Sequence, residues 1–528
     1  MSVHLHVGQC GNQLGAAYWR LAASSGEIQD GNRNRGDTGA SRPLRRASGG
    51  STAAIKGAKE AVSLPRQLFH PSTGAARCIL VDSEPKVIRA VCHEVIDGAV
   101  ACLPAYAHVE QAGRGNNWAM GYYGPRLKSP TPAFTSLAVD DHRELVELVM
   151  DSLRHEIEGV DCYQGSVVMH SLGGGTGSGL GCRVLESMRD TYPKAYIVTA
   201  SVAPSCTRGD TPLQNYNAVL TLKCLQDVAD AVIYKDNDEL LRTTGYWKAM
   251  VQGSDNNQRV SLEEVNSMAA ADLAGLLFPV GTGDGSTVRP FDFGKLLHDV
   301  CPMPAAKILD VRSGVWRDRI GSDTSSKPPS KTSLAKTVSS ATLFHAPVVA
   351  QARLLSRRHE HAQDFDASLD MLEKLVQQTA ACFPRNSNAT IASSTVIRGY
   401  NPMSREAGRF TEKLGQIVQA AFPSTPWLAT MPQATLAYSK LAPYSSLQAQ
   451  ASATICVNNG HFLTTTRRFL ERAQRQFHAG AYVHWYKQHG MEDADFETAF
   501  DKCATLINEY ETLLRERIRS FVWSHRFV

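Results

Sequence analysis

Nine residues, Gly173 to Gly181, read GGGTGSGLG, and six of them are glycine. Inside a helix each glycine costs about 0.8–1.0 kcal/mol relative to alanine, so the run accumulates about 5 kcal/mol against being a helix interior. It follows the apolar segment VVMHSL and precedes CRVLESMRD. Strand, glycine turn, helix is an order that brings bare backbone to a helix N-terminus, where unpaired N–H groups and a positive dipole end favour an anion. The pattern predicts a phosphate cradle. It is not a Walker loop, because no lysine follows the glycines. Nor is it G-x-G-x-x-G, because the last glycine position falls on Ser178, Leu180, Cys182 or Val184. A flexible loop without a ligand is the alternative, and placement after an apolar strand counts against it.

Around this run the texture alternates strand and helix. Segments 3–7 (VHLHV), 77–82 (RCILVD), 165–172 (GSVVMHSL) and 195–204 (AYIVTASVAP) read as short strands. Leu145, Val149, Leu153 and Ile157 share one helical face. Such alternation predicts βαβ units and a parallel sheet. Near the C-terminus Phe496, Phe500, Cys503, Ile507, Tyr510 and Leu514 form one apolar stripe, expected to pack into the core. A length of 528 residues suggests about three domains. Residues 24–74 and 318–340 are rich in small and polar residues and read as mobile insertions.

Composition removes several function classes. Lys plus Arg number 55 against 51 Asp plus Glu, a net +4, too weak for a dedicated nucleic-acid binder. The 12 cysteines are scattered with no Cys-x-x-Cys, so neither a zinc ribbon nor a thioredoxin motif is present, and reduced intracellular thiols are expected. No run reaches the ~18–20 apolar residues of a membrane span, and the N-terminus lacks a signal-peptide core. A soluble, cytosolic protein is expected. His4 and His6 read as strand-face residues rather than metal ligands. HEH at 359–361 lacks the spacing of a zinc protease, and NAT at 388–390 matches a glycosylation acceptor without meaning in the cytosol.

Ligands of an open parallel sheet bind beyond the carboxyl ends of its strands. The first strand runs into GQCGNQ, a second backbone-exposing turn before a helix. The second ends in DSEP, placing Asp82 and Glu84 where a hydrated Mg2+ on phosphates needs oxygen ligands. GRGNNWA supplies small residues and two amides. PSCTRGDTPLQNYNA offers Asp210, Thr211 and Asn217, suited to ribose and base edges. Asn237 carries both donor and acceptor to read a purine edge.

GGGTGSG, GQCGNQ, GNNWA, SVAPS, NYNA and YVHWYKQHGMEDADFETA together resemble the tubulin superfamily, over nearly the whole chain except the two insertions. LVDSEPKVI, GRGNNWAMGYYGPR and QNYNAVLTL look most like its delta branch. The resemblance implies an α/β fold: a three-layer parallel-sheet GTP-binding domain (1–235), an intermediate α/β domain with the core helix (236–455) and a C-terminal helical layer (456–528). It implies GTP or GDP with Mg2+ as ligands. Gln9 and Cys10 would lie at the phosphates and base, Glu84 near the metal beside Asp82, and Asn116 on a third phosphate-side loop. Ser171, Gly174, Gly175, Thr176 and Gly177 would form the cradle. Asp210 and Thr211 would flank the ribose, and Asn217 and Asn237 would read guanine. Ile233, with Tyr234 beside it, stands where tubulins often stack an aromatic ring on the base, and Gln214 replaces an acid at the ribose.

Hydrolysis in this family is shared between stacked subunits, so no catalytic residue is expected within one chain. The resemblance puts Lys295, as in beta-tubulin, where alpha-tubulin has the glutamate that activates water for its neighbour. A cation cannot act as general base there, and Asp292 is the substitute to consider. The chain ends RERIRSFVWSHRFV, basic where alpha- and beta-tubulins are acidic, a departure from the bulk microtubule subunits. The resemblance therefore implies a structural role at centrioles, basal bodies and the doublet and triplet microtubules of a cilium or flagellum. Its partners would be other tubulins in head-to-tail contact and microtubules, with no nucleic acid or membrane. An autonomous GTPase switch and a nucleator or heterodimer partner of another minor tubulin are the alternatives.

Overall fold

A computed structural model describes residues 1–24, 67–70, 73–92, 95–96, 99–100, 106–124, 144–207, 211–252, 260–281, 288–316, 349–350, 363–383, 390–398, 407–423, 433–437 and 451–524. The expected insertion at 318–340, most of that at 24–74, HEH at 359–361 and Asp210 lie outside these residues.

Six strands build the N-terminal half of the sheet: β1 (Ser2–Val7), β2 (Cys78–Asp82), β3 (Ala107–Val109), β4 (Gly165–Ser171), β5 (Tyr196–Ala203) and β6 (Ala231–Asp236). Helices α1 (Gly8–Ser24), α2 (Pro85–Cys92), α3 (Trp118–Tyr123), α4 (Leu145–Glu158), α5 (Gly181–Thr191) and α6 (Gln214–Val228) alternate with them. Alternate residues of β1 feed opposite layers. Val3, Leu5 and Val7 join a core with α4, α5 and α6, while His4 lies against Tyr18 and Trp19 of α1 on the other side. Both faces are covered, which is why nearly every residue of β1, β2, β4, β5 and β6 is buried, while the edge strand β3 is half-buried throughout. Leu145, Val149 and Leu153 of α4 are buried, as their spacing predicted.

All six strands are parallel, in the order β3-β2-β1-β4-β5-β6. The chain winds one way from β1 and the other way from β4. Between those two strands the crossovers diverge to opposite sides, which opens a crevice at their carboxyl ends.

The remaining helices and the other strands of this sheet are α7 (Asn237–Gln252), α8 (Leu262–Leu277), α9 (Phe293–Val300), β7 (Ile308–Trp316), β8 (Val349–Ala350), α10 (Gln363–Ala380), β9 (Thr390–Arg398), α11 (Ala407–Ala421), β10 (Gln433–Ala437), β11 (Ala451–Asn459), α12 (Leu463–His478), α13 (Val483–Lys487) and α14 (Asp493–Ser524). β7 continues the sheet from β6 through two residue pairs, Ile308–Val232 and Leu309–Ile233. Beyond it the order is β11-β9-β10, with β11 antiparallel to both β7 and β9 and β8 paired to β7.

Helix α8 is apolar around its circumference and buried along most of its length, the pattern of a central helix. Ser261 and Glu264 close a capping box at its start. At its end Arg398 of β9, wholly buried, donates to the carbonyls of Gly275, Phe278 and Pro279 at 2.9, 2.7 and 2.8 Å. Those carbonyls would otherwise be orphaned by the helix terminus. The stripe on α14 from Phe496 to Tyr510 is core, packed with α6 and α12. Among the described residues no helix is long and apolar enough to cross a membrane.

Candidate functional site

The crevice at the strand reversal is where the glycine run sits. β1 ends at Val7 and α1 begins at Gly8 with no loop between, a bend made at φ +75°. That left-handed backbone suits glycine, and a Cβ there would lie 2.8 Å from the amide nitrogen of Gly177. The glycine run was expected to be a simple turn. Instead Thr176–Leu180 forms one π-helical turn that leads directly into α5. Packing explains the difference. A Cβ on Gly179 would overlap the carbonyl of Trp118, and one on Gly175 would reach 3.0 Å from the amide of Asn117. Glycine at these positions lets α3 and the turn lie backbone to backbone. At Gly174 the added Cβ would meet nothing within 4 Å, so this residue borders open space.

The turn has no side-chain cap, which leaves its first N–H groups to a ligand. Three backbone segments thus converge: the start of α1, the loop before α3 and the glycine turn. A fourth joins through Ser83, whose hydroxyl lies 2.5 Å from that of Thr176. In the third segment Gly115 and Asn116 are both left-handed, at φ +53° and +51°. Asparagine is among the few non-glycine residues that tolerate this.

The predicted residues fall into three groups. Gln9, Gly174, Gly175, Thr176 and Gly177 lie at the crevice on α1 and the turn. Ser171 closes β4, and its hydroxyl accepts from the amide of Gly173 at 3.1 Å, shaping the entry to the run. Cys10 is half-buried, and burial pushes its thiol up to about 12, so it presents an apolar surface. Asn116 is exposed and its carbonyl accepts from Asn217 at 2.7 Å.

Glu84 is exposed and lies against Gly113, where an added Cβ would be 2.8 Å from its Oε1. Asp82 is buried, with Oδ1 accepting from the amide of Ser83 at 2.8 Å. Burial raises its carboxyl to about 6. Among the described residues no three His, Cys, Asp or Glu side chains are grouped to hold a metal. A Mg2+ at Glu84 and Asp82 would therefore take most of its ligands from water and phosphate oxygens, an arrangement natural to this ion.

The base side differs from expectation. All four hydrogen-bonding positions of the Asn217 amide are occupied within the protein. Its Oδ1 accepts from the amide of Trp118 at 3.0 Å and the hydroxyl of Tyr486 at 2.6 Å. Its Nδ2 donates to the carbonyls of Asn116 and Gly173 at 2.7 and 2.8 Å. None is left to read guanine, so this side chain locks two ligand loops together. Ile233 and Tyr234 are buried in β6, packed into the core, and offer no face for stacking. Gln214 donates to the carbonyl of Ser205 at 3.1 Å rather than facing a ribose. Asn237 remains: it opens α7, half-buried, with no hydrogen bond to its amide among the described residues. Thr211, also half-buried, precedes α6.

Sequence reasoning missed the residues that brace these loops. Asp238 accepts from the hydroxyl of Ser205, from Thr207 Oγ1 at 2.9 Å and from the amide of Cys206 at 2.9 Å. Burial alone would raise its carboxyl, but these bonds outweigh it and hold it below the ordinary value. Glu239 pairs with Arg312 at 2.7 Å and with His461, tying the first turn of α7 to β7 and to the start of α12. Only proximity to a predicted residue could have marked Ser83, Asp238 or Glu239 in the sequence.

Lys295 lies at the other end of the molecule. It stands in the first turn of α9, where Asp292 caps the helix by accepting from its amide at 3.0 Å. The neighbouring Gly294 and Phe293 lie against Tyr196, the first residue of β5. The glycine turn sits at the carboxyl ends of these strands, so Lys295 and the crevice lie at opposite ends of the strands. Its Nζ is 2.8 Å from Asp299.

Residues 136–245 match the family described as Tubulin/FtsZ family, GTPase domain. The chain is 26% identical to the tubulin beta-1 chain of Homo sapiens, covering 96% of this chain and 93% of that one. It is 25% identical to the tubulin delta chain of Macaca fascicularis, covering 96% and 99%. With the human tubulin delta chain it shares 26% identity over 82% of its length and 86% of the relative's. Beta and delta chains are thus matched about equally. Residues 136–245, which include the glycine turn, thus carry a Tubulin/FtsZ-type GTPase domain, and the chain aligns with tubulin beta and delta chains over nearly its whole length.

Proposed function

We propose that this chain holds GTP or GDP with Mg2+ in the crevice between β1 and β4, and that it stacks head to tail with other tubulins. The observation that supports the reading is the convergence of uncapped backbone amides around an open space beside Gly174. In this reading the amides of the turn bind phosphate oxygens, Glu84 and Asp82 face the metal's water shell, and Asn237 meets the base. The proposed domain division is 1–235, 236–455 and 456–528.

Stacking would bring the Lys295 edge of one subunit to the crevice of the next. Lysine there stabilises phosphate charge and cannot take a proton from water, so this subunit does not activate hydrolysis in a partner seated on that edge. Turnover of its own nucleotide would depend on the neighbour that covers it. This favours a structural role over an autonomous switch. Similarity to delta chains supports a place at centrioles and basal bodies, in the assembly of doublet and triplet microtubules.

The test uses the open position. Gly174→Asp adds a carboxylate beside the phosphates without displacing a protein group. Purified chain should release stoichiometric guanine nucleotide on denaturation, and the variant should retain at least tenfold less, with the melting temperatures of the two nucleotide-stripped chains the same. Equal retention would defeat the cradle. A tagged copy in ciliated cells should mark centrioles, and staining confined to the cytoplasmic microtubule array would defeat the cellular assignment.

A further inference from the structure

His170, next to last in β4, is fully buried beneath the glycine turn and has no part in the site as described above. Its Nδ1 lies 3.0 Å from the carbonyl of Gly177, and its Nε2 lies 2.8 Å from the hydroxyl of Ser201 on β5. Ser201 in turn lies 3.0 Å from Thr199 Oγ1. The hydrogens can be assigned by elimination. A carbonyl only accepts, so Nδ1 carries the proton, and Nε2 of the neutral ring accepts from Ser201. Burial keeps the ring neutral, lowering its pKa to about 4.

The turn explains why such a donor is needed. In an α-helix the amide of Gly181 would bond to the carbonyl of Gly177. Here that amide reaches Thr176 and Ser178 instead. Widening the helix to a π turn frees the Gly177 carbonyl from its usual partner, and leaving a buried carbonyl unpaired is costly. His170 takes it.

We propose that His170 is the positioning residue of the nucleotide loop: its Nδ1–H holds the Gly177 carbonyl and so fixes the π turn that aims the Thr176 and Gly177 amides at the phosphates. The carbonyl dictates the tautomer, and the Ser201 hydroxyl satisfies Nε2 by donating to it. The inference rests on the nucleotide reading above, but its first consequence, a stabilised turn, does not require a nucleotide.

Two conservative variants of the full chain separate the roles of the two ring nitrogens. An asparagine amide nitrogen falls close to Nδ1 and can still donate to Gly177, whereas a glutamine amide falls close to Nε2 and cannot. Amide hydrogen exchange at residues 176–181 should accelerate about tenfold in His170→Gln and stay within about threefold of wild type in His170→Asn, with β4 and β5 unchanged in both. Release of a fluorescent GDP should follow the same order. Equal behaviour of the two variants in exchange, or unaltered exchange in His170→Gln, would overturn the assignment. If wild-type chain binds no fluorescent GDP the nucleotide reading fails, and the exchange data still decide whether His170 holds the turn.

Discussion

The four bonds of Asn217 give the sharpest quantitative expectation. The side chain is wholly buried between α6, the loop before α3, the glycine run and Tyr486 of α13. Asn217→Ala removes all four at once. Each neutral bond contributes about 0.5–1.5 kcal/mol net, so the loss is about 2–6 kcal/mol. The centre of that range is the fair expectation, because two backbone carbonyls and one amide are left without partners. Asn217→Asp should be no milder, since it turns both donors into acceptors facing carbonyl oxygens. A chain of this size need not unfold in one step. The assay is therefore urea unfolding followed by hydrogen exchange in β4 and α6, without added nucleotide. Opening of these elements should become easier by about 4 kcal/mol in the alanine variant. If their protection stays at the wild-type level while nucleotide retention collapses, Asn217 is a ligand contact and the reasoning is wrong.

Three further expectations follow from the placement of charged and titratable groups. Burial lowers His4 and His6 to about 3 and His170 to about 4, from an ordinary 6.5. Between those values the unfolded chain binds more protons, so the stability present above pH 6.5 is lost as pH falls, roughly 2 kcal/mol per histidine at pH 5. Asp82, raised to about 6, acts in the opposite sense and offsets part of this; a urea midpoint that rises from pH 7 to pH 5 would contradict the balance. Glu239 is held near 2, because the His461 and Arg312 bonds outweigh the effect of burial. Glu239→Ala strands Arg312, whose remaining acid is Asp310 at 3.2 Å, and should cost about 3–5 kcal/mol in urea unfolding; a change below about 1 kcal/mol would refute the buried pairing. Lys295→Glu exchanges an exposed ion pair with Asp299 for a like-charge pair, about 0.5 kcal/mol of helix stability. It should raise GTP turnover in a partner stacked on that edge, and unchanged turnover would count against the role given to Lys295.

Much of the fold was legible without coordinates. The four segments read as strands are β1, β2, β4 and β5, and the apolar faces of α4 and α14 are buried. Each is a local pattern, fixed by which side chains must leave water on a strand or helix of known period. Glycine content likewise marked the crevice, although its compact form did not follow from propensity. A penalty of ~1 kcal/mol per glycine argued against any helix, yet the close approach of Trp118 and Asn117 favours a π turn made of those very residues.

The order of strands and the division of labour among polar side chains were decided only by the tertiary structure. A reversal between β1 and β4 places the crevice, and no local periodicity encodes which strands become neighbours. Asn217 and Asn237 look alike along the chain. One is consumed in part by Tyr486, 269 residues away, and the other is half-buried with no hydrogen bond to its amide among the described residues. His4, His6 and His170 are likewise three strand histidines, and only His170 meets a carbonyl freed by a widened turn. The physical reason is common to all of these. Apolar residues need only be taken out of water, which local pattern predicts, whereas a buried polar group needs a particular partner at hydrogen-bond distance, and packing supplies that partner from anywhere in the chain.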